Sequence, residues 1–377
     1  MMTSIFRASL AKSSAVIMVT LSLMLSGCSN SSKINDNKNP AVSSLPSAVP
    51  TENAVVSPTP EKVEATPAPT IDVQAVKPDE SGKIMVVMFH NFVESFTPSK
   101  YDNGEYTTTF DEFRKLLPSL YEKGYRLTSM TDYLNNNISV PAGCIPMIFT
   151  FDDGTQGQFN LVNEGGNLVA NKNSAVGIIE EFNKTHPDFG VEGTFYVNLG
   201  NSTFNGEGTL EQRLKYLADK GFEIGNHTYT HINLKEAKDA NHIQKEIGLN
   251  QKTMYELIPE YKMNTFSLPY GAPSKNLQEY VHKGEYEGTK YENFGIMEVG
   301  WDPAFSPVSK SFNPLSIHRV RASGINPVDA DLAWWIKNLT REGQYISDGN
   351  ADTVTIPKSK EENVDSTKLQ GKSLVTY

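Results

Sequence analysis

The segment Ile145–Gly154, IPMIFTFDDG, joins a continuous apolar run to two adjacent aspartates and a glycine. Apolar runs of this kind are typical of strands that are covered on both faces, as in parallel sheets. Asp152 and Asp153 then stand at the carboxyl end of the strand. Two adjacent carboxylates in a half-buried place repel each other unless a cation binds one of them. The pair therefore indicates either a functional site, with Asp153 on a metal and Asp152 free as a base, or a simple Asp-Asp-Gly turn.

Apolar strands and amphipathic helices alternate on both sides of this segment. This order predicts an α/β fold with parallel strands and outer helices, either a barrel or a doubly wound sheet. Chemistry in such folds gathers at the carboxyl ends of the strands. The patterns predict strands over 84–89, 145–151, 193–197, 222–225, 265–268, 295–299 and 316–320, and helices over 109–123, 175–183, 209–220, 235–257 and 327–339.

A pair of histidines, His227 and His231, follows another predicted strand, 222–225. The His-x3-His spacing puts both imidazoles on one side if the segment turns helically. Two imidazoles and the Asp153 carboxylate make three protein ligands, which leaves one position for water. Such a site suits a catalytic zinc better than a structural one.

The segment Ser267–Gly271, SLPYG, begins in the predicted strand 265–268 and continues beyond its end. Pro269 restricts the backbone and Gly271 permits a tight turn. The Tyr270 amide could then point into the site as a donor to an oxyanion. The same composition also occurs in ordinary turns.

Together, in this order and spacing, these segments resemble the polysaccharide deacetylases, also called the NodB-homology or carbohydrate esterase 4 family. Thr150–Gly154 matches the T-F-D-D-G signature, and His227–His231 matches H-[ST]-x-x-H. Gly193–Val197 resembles the strand between these motifs. The resemblance covers about residues 83–321 and implies a distorted (β/α) barrel of about seven parallel strands.

The resemblance also implies a chemistry, the hydrolysis of an N-acetyl group. Asp152 would be the general base, and Asp153, His227 and His231 would hold a divalent metal, with zinc favoured. The backbone N–H of Tyr270 would stabilise the oxyanion.

The third motif departs from the family pattern. Ser267 stands where the family has an arginine that orients the catalytic aspartate. Serine cannot make a bidentate, charge-assisted bond to a carboxylate. Arg319 and Arg321, on a later strand, are candidates to replace that arginine.

Two histidines are candidates for the general acid that protonates the departing amine. His318 stands near the place of the family's last motif, with a packing role as its alternative, and His90 ends the first predicted strand. Pro269 and Trp301 are further candidates for the wall of a substrate groove, although a core position is an alternative for the tryptophan.

The first residues resemble a targeting signal. Arg7 and Lys12 precede an apolar stretch, residues 13–25, that is too short for a comfortable membrane span. It runs into Leu-Ser-Gly-Cys, which resembles a bacterial lipobox with cleavage before Cys28 and lipidation of its thiol. An ordinary secretory peptide is the alternative. We therefore expect a signal peptide over 1–27 and a membrane anchor through Cys28.

Residues 28–81 are expected to form a disordered tether. The stretch 29–80 contains eight prolines and no Phe, Trp or Tyr, so it cannot bury enough apolar area to offset its ordering entropy. The body, residues 82–377, would then be one deacetylase domain. A lipid anchor and a long tether place it on the extracellular face of the bacterial cell membrane, within reach of the cell wall.

Composition narrows the classes of function. The chain has 377 residues and a formal net charge of −10, which argues against a general nucleic-acid binder, and its two cysteines cannot form a disulfide framework. The favoured substrate is an N-acetylated glycan, peptidoglycan first and a chitin-like or poly-N-acetylglucosamine polymer second. The alternatives are a glycan-binding lipoprotein without activity and an O-acetyl ester hydrolase. Nothing in the sequence identifies a protein partner.

Overall fold

A computed structural model describes residues 71–377 except 101–102, 272–274 and 301. Its strands are β1 (Met85–Phe89), β2 (Asn91–Val93), β3 (Thr107–Thr109), β4 (Tyr125–Leu127), β5 (Ile145–Asp153), β6 (Leu161–Glu164), β7 (Asn167–Ala170), β8 (Thr194–Val197), β9 (Glu223–Asn226), β10 (Thr265–Ser267), β11 (Lys283–Tyr286), β12 (Thr289–Glu292), β13 (Gly295–Met297), β14 (Val320–Arg321), β15 (Thr353–Ile356) and β16 (Ser373–Thr376). Its helices are α1 (Val73–Val76), α2 (Phe110–Glu122), α3 (Met130–Leu134), α4 (Ala175–Asn183), α5 (Leu210–Asp219), α6 (Ala240–Leu257), α7 (Glu279–His282) and α8 (Leu332–Asn338).

The central sheet is parallel and curled. Seven of its strands follow the order β13-β10-β9-β8-β5-β1-β14, and β4 pairs with the start of β5. A parallel bridge between Met297 and Ile317 joins the β13 edge to the segment just before β14. The sheet therefore curls into a distorted barrel, and the predicted fold class is confirmed.

Strand β5 is the centre of the sheet. It pairs with β1 on one side and with β4 and then β8 on the other. The register places Asp152 beside Tyr196 and Asp153 beside Val197. Because parallel strands end at the same edge, the two aspartates meet the residues that follow β9 and β10.

Alternation along the strands creates two apolar layers. Val87 and Phe149 belong to the cluster that packs against the outer helices. Their neighbours Val86 and Ile148 belong to the cluster inside the barrel. Successive side chains of a strand point to opposite faces, so a continuous apolar run fills both layers. This explains why the strands read as unbroken apolar runs.

The outer layer depends on well-capped amphipathic helices. The Thr109 side chain and Glu112 form a capping box at the start of α2. Phe113 and Leu117 lie fully buried on the face of α2 that contacts the sheet. Removing such a ring, as in Phe113→Ala, typically costs about 3–5 kcal/mol of stability.

The body begins before the predicted boundary at residue 82. Asp79 and Glu80 are only 4% and 3% exposed, so they belong to the folded unit and not to the tether. Their partners lie in the last part of the chain, where β15 and β16 form a parallel ribbon. The predicted signal peptide, Cys28 and most of the tether lie outside the described residues. Within the described ranges, no helix is long and apolar enough to cross a bilayer.

Candidate metal centre and active site

A cavity of about 250 Å³ lies at the carboxyl ends of β5, β9 and β10. Tyr106 and Val299 are among its lining residues. It also brings together most of the predicted site residues: His90, Asp152, Asp153, His227, His231, Pro269 and Tyr270. Trp301 lies outside the described residues.

Three potential metal ligands converge in this cavity. Asp153 Oδ1 lies 3.4 Å from His227 Nε2 and 3.2 Å from His231 Nε2. The ligand atoms of the three residues all lie within 4.8 Å of one another. Asp153 Oδ1 is buried and has no hydrogen-bond partner among the described residues. A buried acceptor without a donor is costly, and a cation would relieve that cost.

The tautomer of His227 follows from its second nitrogen. Nδ1 lies 2.8 Å from the carbonyl oxygen of Ser267, which can only accept a hydrogen bond. Nδ1 therefore carries the proton in the neutral ring, and the lone pair of Nε2 faces Asp153. Metal-bound histidines are commonly oriented by such a bond from the other ring nitrogen. The donor set of one carboxylate and two imidazoles thus fits a divalent cation such as zinc.

The backbone is strained at the residues that surround the cavity. Asp153, His231 and Tyr270 have positive φ angles of 81°, 59° and 55°. Such conformations cost a non-glycine residue of order 1–3 kcal/mol and concentrate at functional sites. The segment from His227 to His231 is a loop and not a helical turn. The helical turn that would place both rings on one side is therefore not formed, and the left-handed residues Thr228 and His231 bring the two rings together instead.

Buried amides and a glutamate hold this loop. The side-chain amide of Asn198 donates to the carbonyls of His227 and Thr228. Thr230 donates from its N–H and its hydroxyl to the carboxylate of Glu246 on α6. The motifs contain no sign of these supports, because their residues come from elements distant in sequence.

Asp152 has a buried cationic partner. Arg319 Nη1 lies 2.8 Å from Asp152 Oδ1, and Arg319 Nη2 lies 2.7 Å from Oδ2. Burial alone would raise the pKa of Asp152, but the charges of Arg319 and His227 outweigh it and hold the pKa well below its usual range. Asp152 is therefore ionised at neutral pH. Of the two arginines considered as replacements for the family's arginine, the structure brings Arg319 to the aspartate.

Alternation explains why Arg319 reaches the site and His318 does not. Ile317 lies in the cluster inside the barrel, so the next side chain points outward and the one after it inward. His318 is absent from the cavity wall, and its side chain is 39% exposed, with Nε2 4.0 Å from Glu298. The placement of His318 as the general acid in the cavity is thus wrong.

His90, the other candidate acid, lines the cavity. Its Nδ1 is buried and has no hydrogen-bond partner among the described residues. Its carbonyl oxygen accepts a 2.7 Å bond from the side-chain amide of Gln158, which also donates to the carbonyl of Asp152. Gln158 therefore ties the end of β1, at His90, to the end of β5, at Asp152.

Tyr106 is a wall residue that the motifs did not indicate. Its ring makes an edge contact with His90 at 4.9 Å between centroids, and it is 42% exposed. Arg321 lies over this ring at 5.0 Å and pairs with Glu105 at 2.9 Å. Arg321 thus holds the Tyr106 segment and does not contact Asp152. On another wall Tyr270, 64% exposed, makes an edge contact with His231.

The site histidines have different electrostatic environments. Burial lowers the pKa of His90, and burial together with the charge of His227 lowers that of His231. Burial also acts on His227, but the carboxylates of Asp152 and Asp153 outweigh it and raise its pKa. The pKa of Asp153 is lowered, because the neighbouring His227 outweighs the effect of burial.

Residues 140–289 match a family model described as polysaccharide deacetylase. This part of the chain is similar to the polysaccharide deacetylases. The fold of the chain is similar to that of the deacetylase PplD of Streptococcus pyogenes, solved in complex with acetate, with a TM-score of 0.51 and 16% identity over 69% of this chain and 99% of that chain. A polysaccharide deacetylase from Bacillus cereus gives a TM-score of 0.50 and 16% identity over 69% of this chain and 70% of that chain. No curated protein sequence matches the chain.

The family match includes the central part of the site. Asp152, Asp153, His227, His231 and Tyr270 all lie within 140–289, whereas His90 and Arg319 lie outside that range. At 16% identity the two solved structures show a common fold and nothing finer. The roles of the individual residues remain predictions.

Proposed function

We propose that this protein is a metal-dependent hydrolase that removes N-acetyl groups from an extracellular polysaccharide. The observation that carries the proposal is the convergence of Asp153, His227 and His231 beside an ionised Asp152 in one cavity. When bound there, a divalent metal supplies Lewis-acid polarisation of the acetyl carbonyl and lowers the pKa of water.

Asp152 is the base in this proposal. Arg319 occupies one direction on Oδ1, which leaves a second lone pair of that oxygen for a proton. Asp152 takes a proton from water while the water oxygen attacks the acetyl carbon. The N–H of Tyr270 serves as donor to the oxygen that becomes negative. Among the described residues, this N–H has no other hydrogen-bond partner.

His90 is the acid. Its ring lines the same cavity as Asp152, and its main chain is tied to that of Asp152 through Gln158. When the carbon–nitrogen bond breaks, His90 donates a proton to the departing amine, so that acetate and a free amino sugar result. Burial lowers the pKa of His90, whereas the negative charges of Asp152 and Asp153 favour its protonated form, which is the form that can donate.

The proposed substrate is peptidoglycan, with a chitin-like or poly-N-acetylglucosamine polymer as the second choice. Support comes from the lipobox at Cys28 and the proline-rich tether, which would hold the domain outside the membrane and within reach of the wall. An ester substrate presents the same carbonyl and the same oxyanion as an amide. Removal of an O-acetyl group is therefore the second candidate reaction.

The contacts of Asp152 argue against an inactive glycan-binding protein. That interpretation rests on the serine at position 267, which would leave the base without an arginine. Asp152 nevertheless makes a bidentate pair with Arg319. A pseudoenzyme has no need of an oriented, ionised carboxylate beside three potential metal ligands.

An acetate-release assay tests the proposal. The zinc-loaded protein would be incubated with peptidoglycan fragments, chitin oligomers, poly-N-acetylglucosamine and an O-acetylated xylan. We expect acetate from at least one N-acetylated glycan, together with one new free amine for each acetate. Binding to a glycan without release of acetate would refute the proposal, and acetate from the xylan alone would favour the esterase.

A further inference from the structure

We infer that Arg319 and Ser267 together position the base Asp152. The arginine stands at 319 and a small residue at 267, which is the reverse of what the family's third motif implies. Arg319 on the segment that enters β14 supplies the charge, and Ser267 at the end of β10 leaves room for it. This inference rests on the proposed function, because it concerns the orientation of Asp152 as a base.

Arg319 is buried, and each of its N–H groups has an acceptor. It is 0% exposed, and its Nε donates to the carbonyl of Glu298 at 2.8 Å. Nη1 donates to Asp152 Oδ1 and, at 3.1 Å, to the hydroxyl oxygen of Thr150. Nη2 donates to Asp152 Oδ2 and, at 2.8 Å, to Ser267 Oγ. The guanidinium plane is therefore held by β5, by β10 and by the residue that follows β13.

Ser267 connects the base to the metal ligands. Its hydroxyl accepts the bond from Arg319 and donates to Asp152 Oδ2 at 3.0 Å. Its carbonyl oxygen accepts the bond from His227 Nδ1. One small residue thus fixes the second oxygen of the base and the tautomer of a ligand. A larger side chain at this fully buried position would displace the guanidinium of Arg319.

The contacts make the two carboxylate oxygens of Asp152 unequal. Among the described residues, Oδ2 receives two donors, from Arg319 and Ser267, whereas Oδ1 receives one, from Arg319. A carboxylate oxygen has two lone pairs, so Oδ1 keeps one acceptor direction and Oδ2 keeps none. The arrangement assigns Oδ1 as the atom that takes the proton. The hydroxyl of Ser267 creates this asymmetry, and the fork of Arg319 holds both oxygens in place, which lysine cannot do.

Exchanging serine and arginine between positions 267 and 319 should therefore keep Asp152 oriented, whereas changing either position alone should not. Strands β10 and β14 approach Asp152 from different sides of β5 in the sheet. An arginine from either strand can place its fork on the carboxylate if the other position is small. Arginine at both positions would bring two like charges to one buried carboxylate, which is unfavourable.

The test compares the wild type with Arg319→Ser, Ser267→Arg and the double variant Ser267→Arg/Arg319→Ser. We expect kcat for acetate release to fall about 100-fold or more in each single variant, with KM changed less than about threefold, because an oriented base acts on the chemical step. The double variant should regain at least about tenfold over Arg319→Ser. A double variant no better than Arg319→Ser, or an Arg319→Ser with the kcat of the wild type, overturns the inference.

A milder variant covers the case in which Arg319→Ser does not fold. Arg319→Lys keeps the charge but loses the fork, and we expect it to bind zinc with the stoichiometry of the wild type and to lose about tenfold in kcat. Full activity of Arg319→Lys would show that a point charge suffices and would overturn the role of the bidentate pair.

Crystal structures of the same variants separate this inference from the proposed function. Even if the wild type releases no acetate, Arg319→Ser should turn the Asp152 carboxylate away from its position, and the double variant should restore it. A carboxylate that stays in place without Arg319 would refute the positioning role.

Discussion

The two ends of the barrel both bury acidic side chains, but they satisfy them in opposite ways. At the amino end of the strands, Glu80 accepts from the hydroxyl of Tyr345 at 3.0 Å and from the N–H of Thr355 at 2.8 Å. Its neighbour Asp348 accepts from two threonine hydroxyls and from the N–H of Asn350. Each buried carboxylate there has protein donors.

At the carboxyl end, a buried carboxylate oxygen lacks donors. Asp153 Oδ1 and the imidazole nitrogens of His227 and His231 meet without a hydrogen bond to Oδ1 from the described residues. The number of donors therefore distinguishes the acidic groups with a structural role from those with a functional role. Carboxyl groups with several protein donors tie the terminal segments of the body together, whereas a buried carboxylate oxygen without a donor, beside two imidazoles, predicts a cation.

The largest effect should come from the carboxyl end. We expect Asp153→Asn and His227→Ala to lose both stoichiometric zinc and acetate release, with a fall in kcat/KM of about 1,000-fold or more, because the water would no longer be activated. Metal content by elemental analysis and acetate release measure both effects. Either variant with the zinc content and rate of the wild type would contradict the comparison.

The next effect separates the two candidate acids. His90→Gln should lower kcat by about 100-fold or more while zinc stays bound, because the amine then leaves without its proton donor. His318→Gln is the matched control, since His318 lies on the outer side of the barrel next to Glu298. We expect His318→Gln to change kcat less than about twofold. A reversed order of the two variants would show that the acid was misassigned.

A smaller effect should follow from the exposed wall. Tyr106→Ala removes a ring that lines the cavity and contacts His90. Aromatic contacts are typically worth about 0.5–1.5 kcal/mol, so we expect KM for the glycan to rise several-fold with a smaller change in kcat. Tyr106→Phe keeps the ring and should retain the KM of the wild type. Steady-state kinetics on one defined oligosaccharide decides the matter, and an unchanged KM in the alanine variant would remove Tyr106 from the substrate site.

The last test concerns stability and not activity, and it addresses the amino end. Burial and the charge of Asp348 raise the pKa of Glu80 from 4.5 to about 8. The folded state then holds a proton that the unfolded state has lost, so this contribution to stability is complete below about pH 4.5 and disappears as the pH rises to about 8. Glu80→Gln should remove that part of the pH dependence. Thermal unfolding between pH 5 and pH 9 measures it, and identical slopes for variant and wild type would refute the assignment.

Much of this molecule is predictable from the sequence, because its strands are continuous apolar runs. The segments 145–151 and 175–183 were predicted as a strand and a helix and lie within β5 and α4. The apolar pattern of the strand indicates burial on both faces, and that of the helix indicates burial on one face. Both patterns are local properties of the sequence. The motif residues at the carboxyl ends of β5 and β9 were likewise found from their positions after strands.

The parts that escaped prediction depend on tertiary contacts. The loop of His227 and His231 takes left-handed backbone angles that its spacing does not reveal. The outward direction of His318 follows from strand register, which the sequence leaves open between two adjacent residues. Asp79 and Glu80 are buried only because the last segment of the chain covers them.

The most direct test of the central claim is anomalous scattering at the zinc edge from crystals of the protein soaked in zinc. The account predicts one strong peak at about 2.0–2.2 Å from Asp153 Oδ1, His227 Nε2 and His231 Nε2, the range of zinc–oxygen and zinc–nitrogen bonds. A folded protein in which these three side chains point apart and no peak lies between them would contradict it.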